Sequence, residues 1–316
     1  MSNFSVTVPT FAEVQAARLR LNSRIHFTPV VTSQAVDARV GDSVFFKCEN
    51  LQKTGSFKIR GAINAVSQLT RLELSRGVVT HSSGNHAAAL AYAARLFGTT
   101  AHIVMPTNSS AIKIAAVEYY GGRIVRCEPN LAARLSVAAT VQAETGGTMI
   151  PPFDHAQIIA GQGTCAMEFL EQVPDLDVMI APIGGGGLMS GTCLAAKSRS
   201  PTIRVIGAEP AGADDAYQSK LQNRLIPQSN PQTIADGLRT SLGDLTWPFI
   251  RDLVDEIICV TEDEIISARR FFCERTKLII EPSSAVALAA QFKRNRDSAA
   301  RPQRIGIIIS GGNVEI

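Results

Sequence analysis

The sequence predicts an α/β protein of two lobes with parallel twisted sheets, and three observations carry that prediction. Continuous apolar runs such as Val178-Met179-Ile180-Ala181-Pro182-Ile183 and Ile305-Gly306-Ile307-Ile308-Ile309 fit strands buried on both faces. These runs alternate with alanine-rich helical stretches, the βα order of a parallel sheet. A Pro151-Pro152 break then divides the alternation into two series.

The first series begins near Gly77. Val78 to His81 reads as a strand that leads through Ser82-Ser83-Gly84-Asn85 into a helix over Ala87 to Leu96, where alanine favours helix most strongly. Ala101 to Met105 is the next strand, closed by Pro106, and Ala111 to Tyr119 is helical. Gly121-Gly122 turns the chain into a strand over Arg123 to Cys127. In the second series, Val178 to Ile183, Arg204 to Ala208 and Ile305 to Ile309 are strands, and Ser284 to Gln291 is a helix. The abrupt stop after Gly311-Gly312-Asn313-Val314-Glu315-Ile316 suggests a C-terminal element that is trimmed or absent.

Composition excludes several classes. The chain has 316 residues, 45% hydrophobic and 19% charged, enough for a sizeable core. Its 31 Lys and Arg against 28 Asp and Glu leave +3, with the cations scattered, so nucleic acid and membrane surfaces gain no support. Six isolated cysteines form no CxxC pair and point to a reducing compartment. Met1 to Thr10 is polar and lacks the apolar stretch of a signal peptide, which reads as cytoplasmic. Only eight of the cations are lysines, and a lysine amine can do covalent chemistry that an arginine cannot.

Four loops and one acidic segment could carry chemistry. Gly184-Gly185-Gly186-Gly187 follows a buried strand and precedes a helix, so its backbone N–H groups and the helix dipole suit a phosphate. It does not match G-x-G-x-x-G, which disfavours a dinucleotide. Lys58 follows Gly55-Ser56-Phe57 and falls in the first turn of a helix, where the dipole opposes a cation and lowers an amine's pKa. That makes it either a Schiff-base former or an ordinary surface lysine. Ser82-Ser83-Gly84-Asn85-His86 gathers hydroxyls, an amide and backbone donors at a helix start, as a cap or as an anion site. Ser310-Gly311-Gly312-Asn313 ends the last strand, at the carboxyl edge where open sheets place ligands. Glu209, the Ala213 carbonyl and Asp215 offer hard oxygen donors for Mg²⁺ or Ca²⁺, or a solvated acidic loop.

Together Asn50 to Ala62, Ser82 to His86, the four glycines and Ser310 to Asn313 resemble the serine racemase and serine/threonine dehydratase family, pyridoxal-phosphate enzymes of the tryptophan-synthase-β-like fold (fold type II). Ile159-Ala160-Gly161-Gln162-Gly163-Thr164 and Thr233 to Gly237 agree as well. The resemblance implies a large cofactor domain over 1–76 and 154–316, with 77–153 inserted as a smaller one. It implies that Lys58 binds the cofactor aldehyde beside Phe57, that Asn85 bonds the 3-hydroxyl, and that Gly184, Gly185, Gly186 and Gly187 hold the phosphate. Ser310 would face the pyridine nitrogen and, unlike a carboxylate, does not enforce a protonated ring. Ser82, Ser83, Gly84, Asn85 and His86 would clasp the substrate carboxylate, with Arg134 helping and Thr240 near the substrate. Glu209, Ala213 and Asp215 would bind Mg²⁺, Ca²⁺ or Mn²⁺, and the assembly would be a homodimer.

The implied chemistry is proton abstraction from a small β-hydroxy amino acid, giving D-serine from L-serine and keto acid plus ammonia by elimination. Ser83 bears on the first outcome, because racemisation needs an acid on the face opposite Lys58. Three departures stand out. Ala87-Ala88 replaces the Gly-Gln of animal racemases, which argues against ATP as an effector. Phe153 replaces an asparagine, and Thr240 a serine, so a dehydratase specialised for threonine or 3-hydroxyaspartate is the rival reading. An amino-acid-binding pseudoenzyme is the non-catalytic one.

Overall fold

The computed structural model describes residues 8–294 and 302–315; the first seven residues of the polar N-terminus and Ile316 lie outside them. The chain opens with α1 (Phe11–Leu21), β1 (Val30–Thr32), α2 (Gln34–Val40), β2 (Ser43–Cys48), α3 (Lys58–Val66) and α4 (Arg71–Arg76). The sequence pattern misses both strands. β1 is only three residues long, and β2 carries Lys47, a cation in a fully buried position.

A second unit follows: β3 (Val78–His81), α5 (Asn85–Leu96), β4 (Ala101–Pro106), α6 (Ala111–Tyr119), β5 (Arg123–Cys127), α7 (Leu131–Thr145) and β6 (Thr148–Met149). Its four strands form a parallel sheet in the order β5-β4-β3-β6. The remainder is α8 (Ala156–Gln172), β7 (Val178–Pro182), α9 (Gly187–Arg199), β8 (Arg204–Pro210), α10 (Asp215–Gln222), α11 (Trp247–Leu253), β9 (Glu256–Val260), α12 (Glu262–Thr276), α13 (Pro282–Lys293) and β10 (Arg304–Ile309).

These strands build a six-stranded sheet with β1 and β2, ordered β1-β2-β10-β7-β8-β9, in which only the β1–β2 pair is antiparallel. The last strand therefore sits in the middle. Ile309 pairs with Cys48 of β2 on one side, and Ile307 with Ile180 of β7 on the other. Because β2, β10, β7 and β8 run parallel, the segments that follow them all leave the same edge of the sheet, where ligands of such sheets bind. The helix α13 is buried along Ala285 to Ala290, as expected for a helix that is apolar all round.

Two features fix α3, whose first residue is Lys58. Arg60 is fully buried between Glu49 (Nε to Oε2, 2.7 Å) and Glu168 (Nη2 to Oε1, 3.1 Å), and Lys47 lies 2.5 Å from Glu168. Two cations thus meet two carboxylates with no exposure, and Thr28 donates to Glu49 at 2.6 Å. Removing one partner of such a set leaves an uncompensated buried charge. The second feature is glycine. α8 packs on α3 so closely that a Cβ on Gly161 would lie 2.6 Å from the Gly61 Cα. On its other side α8 meets α9, where a Cβ on Gly191 would overlap the Gly163 backbone.

Candidate active site

Lys58 opens α3 after a segment sewn to the end of β10. Ser56 bridges Gly311, the Phe57 N–H donates to the Ser310 carbonyl at 3.0 Å, and the Gly312 N–H donates to the Gly55 carbonyl at 2.9 Å. The Lys58 amine donates to the Pro152 carbonyl at 2.7 Å and lies 5.1 Å from the centroid of the Phe57 ring. Burial pushes its pKa down to about 8, against a smaller upward pull from Glu281.

Glu281 is a residue that sequence reasoning missed. It caps α13 directly before Pro282, an ordinary helix start, so nothing in the local pattern distinguishes it. Its buried carboxylate accepts from Asn85 Nδ2 at 2.9 and 3.1 Å. Asn85 Oδ1 in turn accepts from Asn313 Nδ2 (2.8 Å), which also donates to the Thr54 carbonyl (2.8 Å). Burial raises the Glu281 pKa to about 7.

The four glycines connect β7 to α9. Gly186 adopts φ +85°, a conformation L side chains rarely take, at the N-cap of α9, whose first N–H groups have no partner within the helix. Thr246 Oγ1 ties down the Gly185 carbonyl at 2.8 Å, and Gly184 abuts Gly237 and Leu238. The Phe153 ring lies directly against Gly185, so a side chain there would collide with it. Thr240, half-buried, follows the same 236–238 segment.

The Ser82 to Asn85 loop is half-buried at the end of β3. His86 differs from the rest of the loop: its ring is buried, and Nε2 donates to the Ile150 carbonyl at 3.0 Å. Burial, then the Lys58 charge, lowers its pKa to about 3, so the ring is neutral, with an enclosed Nδ1 that has no partner among the described residues. Arg134 reaches in from α7. Its Nε is enclosed without a partner among the described residues, and its charge adds to burial in lowering the pKa of His81. Ser310 is buried, 3.0 Å from Ser284 Oγ, a second contact absent from the sequence reading.

Glu209 ends β8, two strands along from β10, and accepts from the Ala216 and Tyr217 N–H groups at 3.1 and 2.7 Å. Asp215 Oδ2 accepts from the Leu242 N–H at 2.9 Å, while Oδ1 is buried and unpaired. Burial raises both carboxyls, Asp215 to about 7; the Asp215 charge adds to the rise at Glu209, and the Asp214 charge to that at Asp215. Ala213 lies buried between them in sequence, its N–H on the Pro210 carbonyl at 2.9 Å. Two buried carboxyls beside a third, Asp214, and an oxygen with no partner among the described residues suit a hard cation. Among the described residues no three His, Cys, Asp or Glu side chains converge, so such an ion would also need carbonyl or water oxygens.

Pyridoxal phosphate fits the residues at the main sheet edge. A lysine of lowered basicity, a glycine cradle at a helix start, a half-buried amide and a buried hydroxyl stand on segments tied to one another. Residues 21–311 match the family model described as pyridoxal-phosphate dependent enzyme. The chain belongs to that family. Among pyridoxal-phosphate dependent enzymes it is similar to the serine racemase of Oryza sativa subsp. indica, 50% identical over 307 residues that cover 96% of this chain and 90% of that protein. The β-hydroxyaspartate dehydratase of Paracoccus denitrificans is 46% identical over 309 residues, 98% of each chain. The structure of maize serine racemase superposes with a TM-score of 0.96 at 48% identity, covering 98% of this chain and 95% of that one. The α/β fold with parallel sheets is thus shared with an enzyme of known structure.

Proposed function

We propose that this enzyme interconverts L- and D-serine and eliminates water from serine or threonine to give keto acid and ammonia. The observation that carries the reading is the stitching of the Lys58 segment to the Ser310 segment by the Ser56–Gly311 bridge and the Phe57 N–H on the Ser310 carbonyl. Pyridoxal phosphate, when bound there, supplies the electron sink that makes an amino acid's α-proton acidic. Gly184 to Gly187 hold its phosphate, Asn85 its 3-hydroxyl and Ser310 its ring nitrogen.

Lys58 Nζ, with a pKa near neutrality, takes the α-proton on one face of the substrate, and the Pro152 carbonyl steadies the amine while it carries the proton. Ser83 Oγ delivers a proton to the same carbon from the other face, which inverts it. In elimination the β-hydroxyl leaves instead, taking the proton held on Lys58 Nζ and departing as water, and the enamine product then takes up water to give keto acid and ammonia. The N–H groups of the Ser82 to Asn85 loop and the unpaired Arg134 Nε hold the substrate carboxylate. His86, neutral and committed to Ile150, sets the loop's position and is no carboxylate ligand through its side chain. Glu209, the Ala213 carbonyl and Asp215 hold a divalent ion, Mg²⁺ being the first to test. The enzyme acts as a cytoplasmic homodimer without ATP as an effector, and 77–153 forms its smaller domain.

A dehydratase specialised for threonine or 3-hydroxyaspartate is the second reading, favoured by Phe153 against Gly185 and by the likeness to the Paracoccus enzyme. Incubation with L-serine, L-threonine and the 3-hydroxyaspartates, with keto acid and enantiomers assayed together, separates the two. D-serine and pyruvate from L-serine are expected, and Lys58→Ala is expected to form neither. Turnover of 3-hydroxyaspartate alone would favour the second reading.

A further inference from the structure

The chain between β6 and α8 is pinned at three successive residues. The Pro152 carbonyl accepts from the Lys58 amine at 2.7 Å, the Phe153 ring lies against Gly185, and Asp154 Oδ1 accepts from the Leu245 and Thr246 N–H groups at 3.0 and 3.1 Å. Thr246, fully buried at the start of α11, has one hydroxyl hydrogen to give. Its Oγ1 accepts from the Gly243 N–H at 2.9 Å and lies 2.8 Å from the Gly185 carbonyl, against 3.2 Å from the Gly243 carbonyl. The hydrogen therefore serves Gly185, the nearer acceptor. The Gly185–Gly186 peptide is trans and planar, with its C=O and N–H on opposite sides. Holding the Gly185 carbonyl toward Thr246 thus turns the Gly186 N–H the other way, away from the start of α11.

We infer that Asp154 is a positioning residue for the phosphate loop: through Thr246 it fixes the Gly185–Gly186 peptide so that an N–H, and not a carbonyl, is offered to the anion. The inference rests on the reading of Gly184 to Gly187 as the phosphate holder. A phosphate is attracted by an N–H and repelled by a carbonyl oxygen, so the orientation of this one peptide decides whether the loop welcomes the anion or opposes it. Between two glycines the peptide has no side chain to hold it, and the restraint must come from outside. Asp154 supplies it by gripping the backbone of Thr246 itself. Because the Pro152 carbonyl on Lys58 belongs to the same short segment, the amine and the phosphate loop are set relative to each other by three consecutive residues.

The test compares the rate of cofactor release from holoenzyme loaded with pyridoxal phosphate and from enzyme loaded with pyridoxal, which has the same ring and aldehyde and no phosphate. Wild type is expected to release pyridoxal phosphate the more slowly. Asp154→Ala is expected to speed release of pyridoxal phosphate about tenfold and to leave that of pyridoxal within about twofold. Asp154→Asn, whose amide oxygen accepts from the same two N–H groups, stays near wild type. Thr246→Val keeps the shape without the hydroxyl; it matches Asp154→Ala and serves if that variant does not fold. In the double variant the two losses do not add, because both act on one peptide. Release of pyridoxal that rises in step with that of pyridoxal phosphate overturns the inference, as do additive losses, an equal loss in Asp154→Asn, or unchanged release in both Asp154→Ala and Thr246→Val. Each of these leaves the phosphate reading standing. Wild-type enzyme that releases the two cofactors at one rate removes the phosphate from the glycines and overturns both.

Discussion

Lys58 and Glu281 illustrate opposite cases of legibility at the scale of single residues. Lysines are scarce in this chain, and Lys58 follows a Gly-Ser-Phe loop at a helix start, so it could be singled out from sequence as a candidate. Glu281 reads as a helix cap, and only the three-dimensional packing of α13 against the ends of β10 and α5 reveals its carboxylate on Asn85. The burial of Glu281 has a measurable consequence. Its pKa is raised from the usual carboxylate value to about 7, so the folded protein holds a proton that the unfolded chain has already lost. This group's contribution to stability is present below about pH 4.5 and is lost as pH rises to about 7, on the order of 3 kcal/mol across the window. Lys58 is charged in both states over that range and adds no slope. Glu281→Gln in the cofactor-free protein is expected to flatten the fall in unfolding free energy between pH 5 and 7, measured by urea denaturation; an unchanged slope would contradict the assignment.

Helices and loops were legible where the pattern is local. The bounds of α6 and β5 match the sequence reading, and the glycine loop falls at a strand-to-helix junction as expected. The Ile159 to Thr164 motif was visible but its purpose was not. Gly161 and Gly163, two residues apart, face opposite neighbours, so α8 is clamped between the helix that bears Lys58 and the helix that opens at the glycine cradle. Gly161→Ala forces α8 away from α3. The expected result is a loss of about 1–3 kcal/mol from overpacking, with weaker retention of pyridoxal phosphate on dialysis. Full retention with unchanged stability would mean the helices move apart freely. At α10 the buried Asp215 Oδ1 is the distinctive atom. Added Mg²⁺ is expected to raise the melting temperature of the wild type and to leave that of Asp215→Asn unmoved; equal shifts in both would place the ion elsewhere.

Strand order belongs to the whole molecule and could not be read from periodicity. β10, last in the chain, enters between β2 and β7, and this long-range pairing is what brings Ser310 to Lys58. The buried set of Lys47, Arg60, Glu49 and Glu168 was equally hidden, because each charge taken alone looks like surface. The Lys113–Asp236 ion pair then joins α6 of the smaller sheet's unit to the segment that abuts Gly184. In the proposed mechanism one site works on both faces of the substrate, Lys58 on one and Ser83 on the other. Ser83→Ala holoenzyme, given L-serine with D-serine and pyruvate measured in the same reaction, tests it most directly. D-serine formation is expected to fall at least ~10-fold further than pyruvate formation, and an equal loss of the two products would remove Ser83 from the second face.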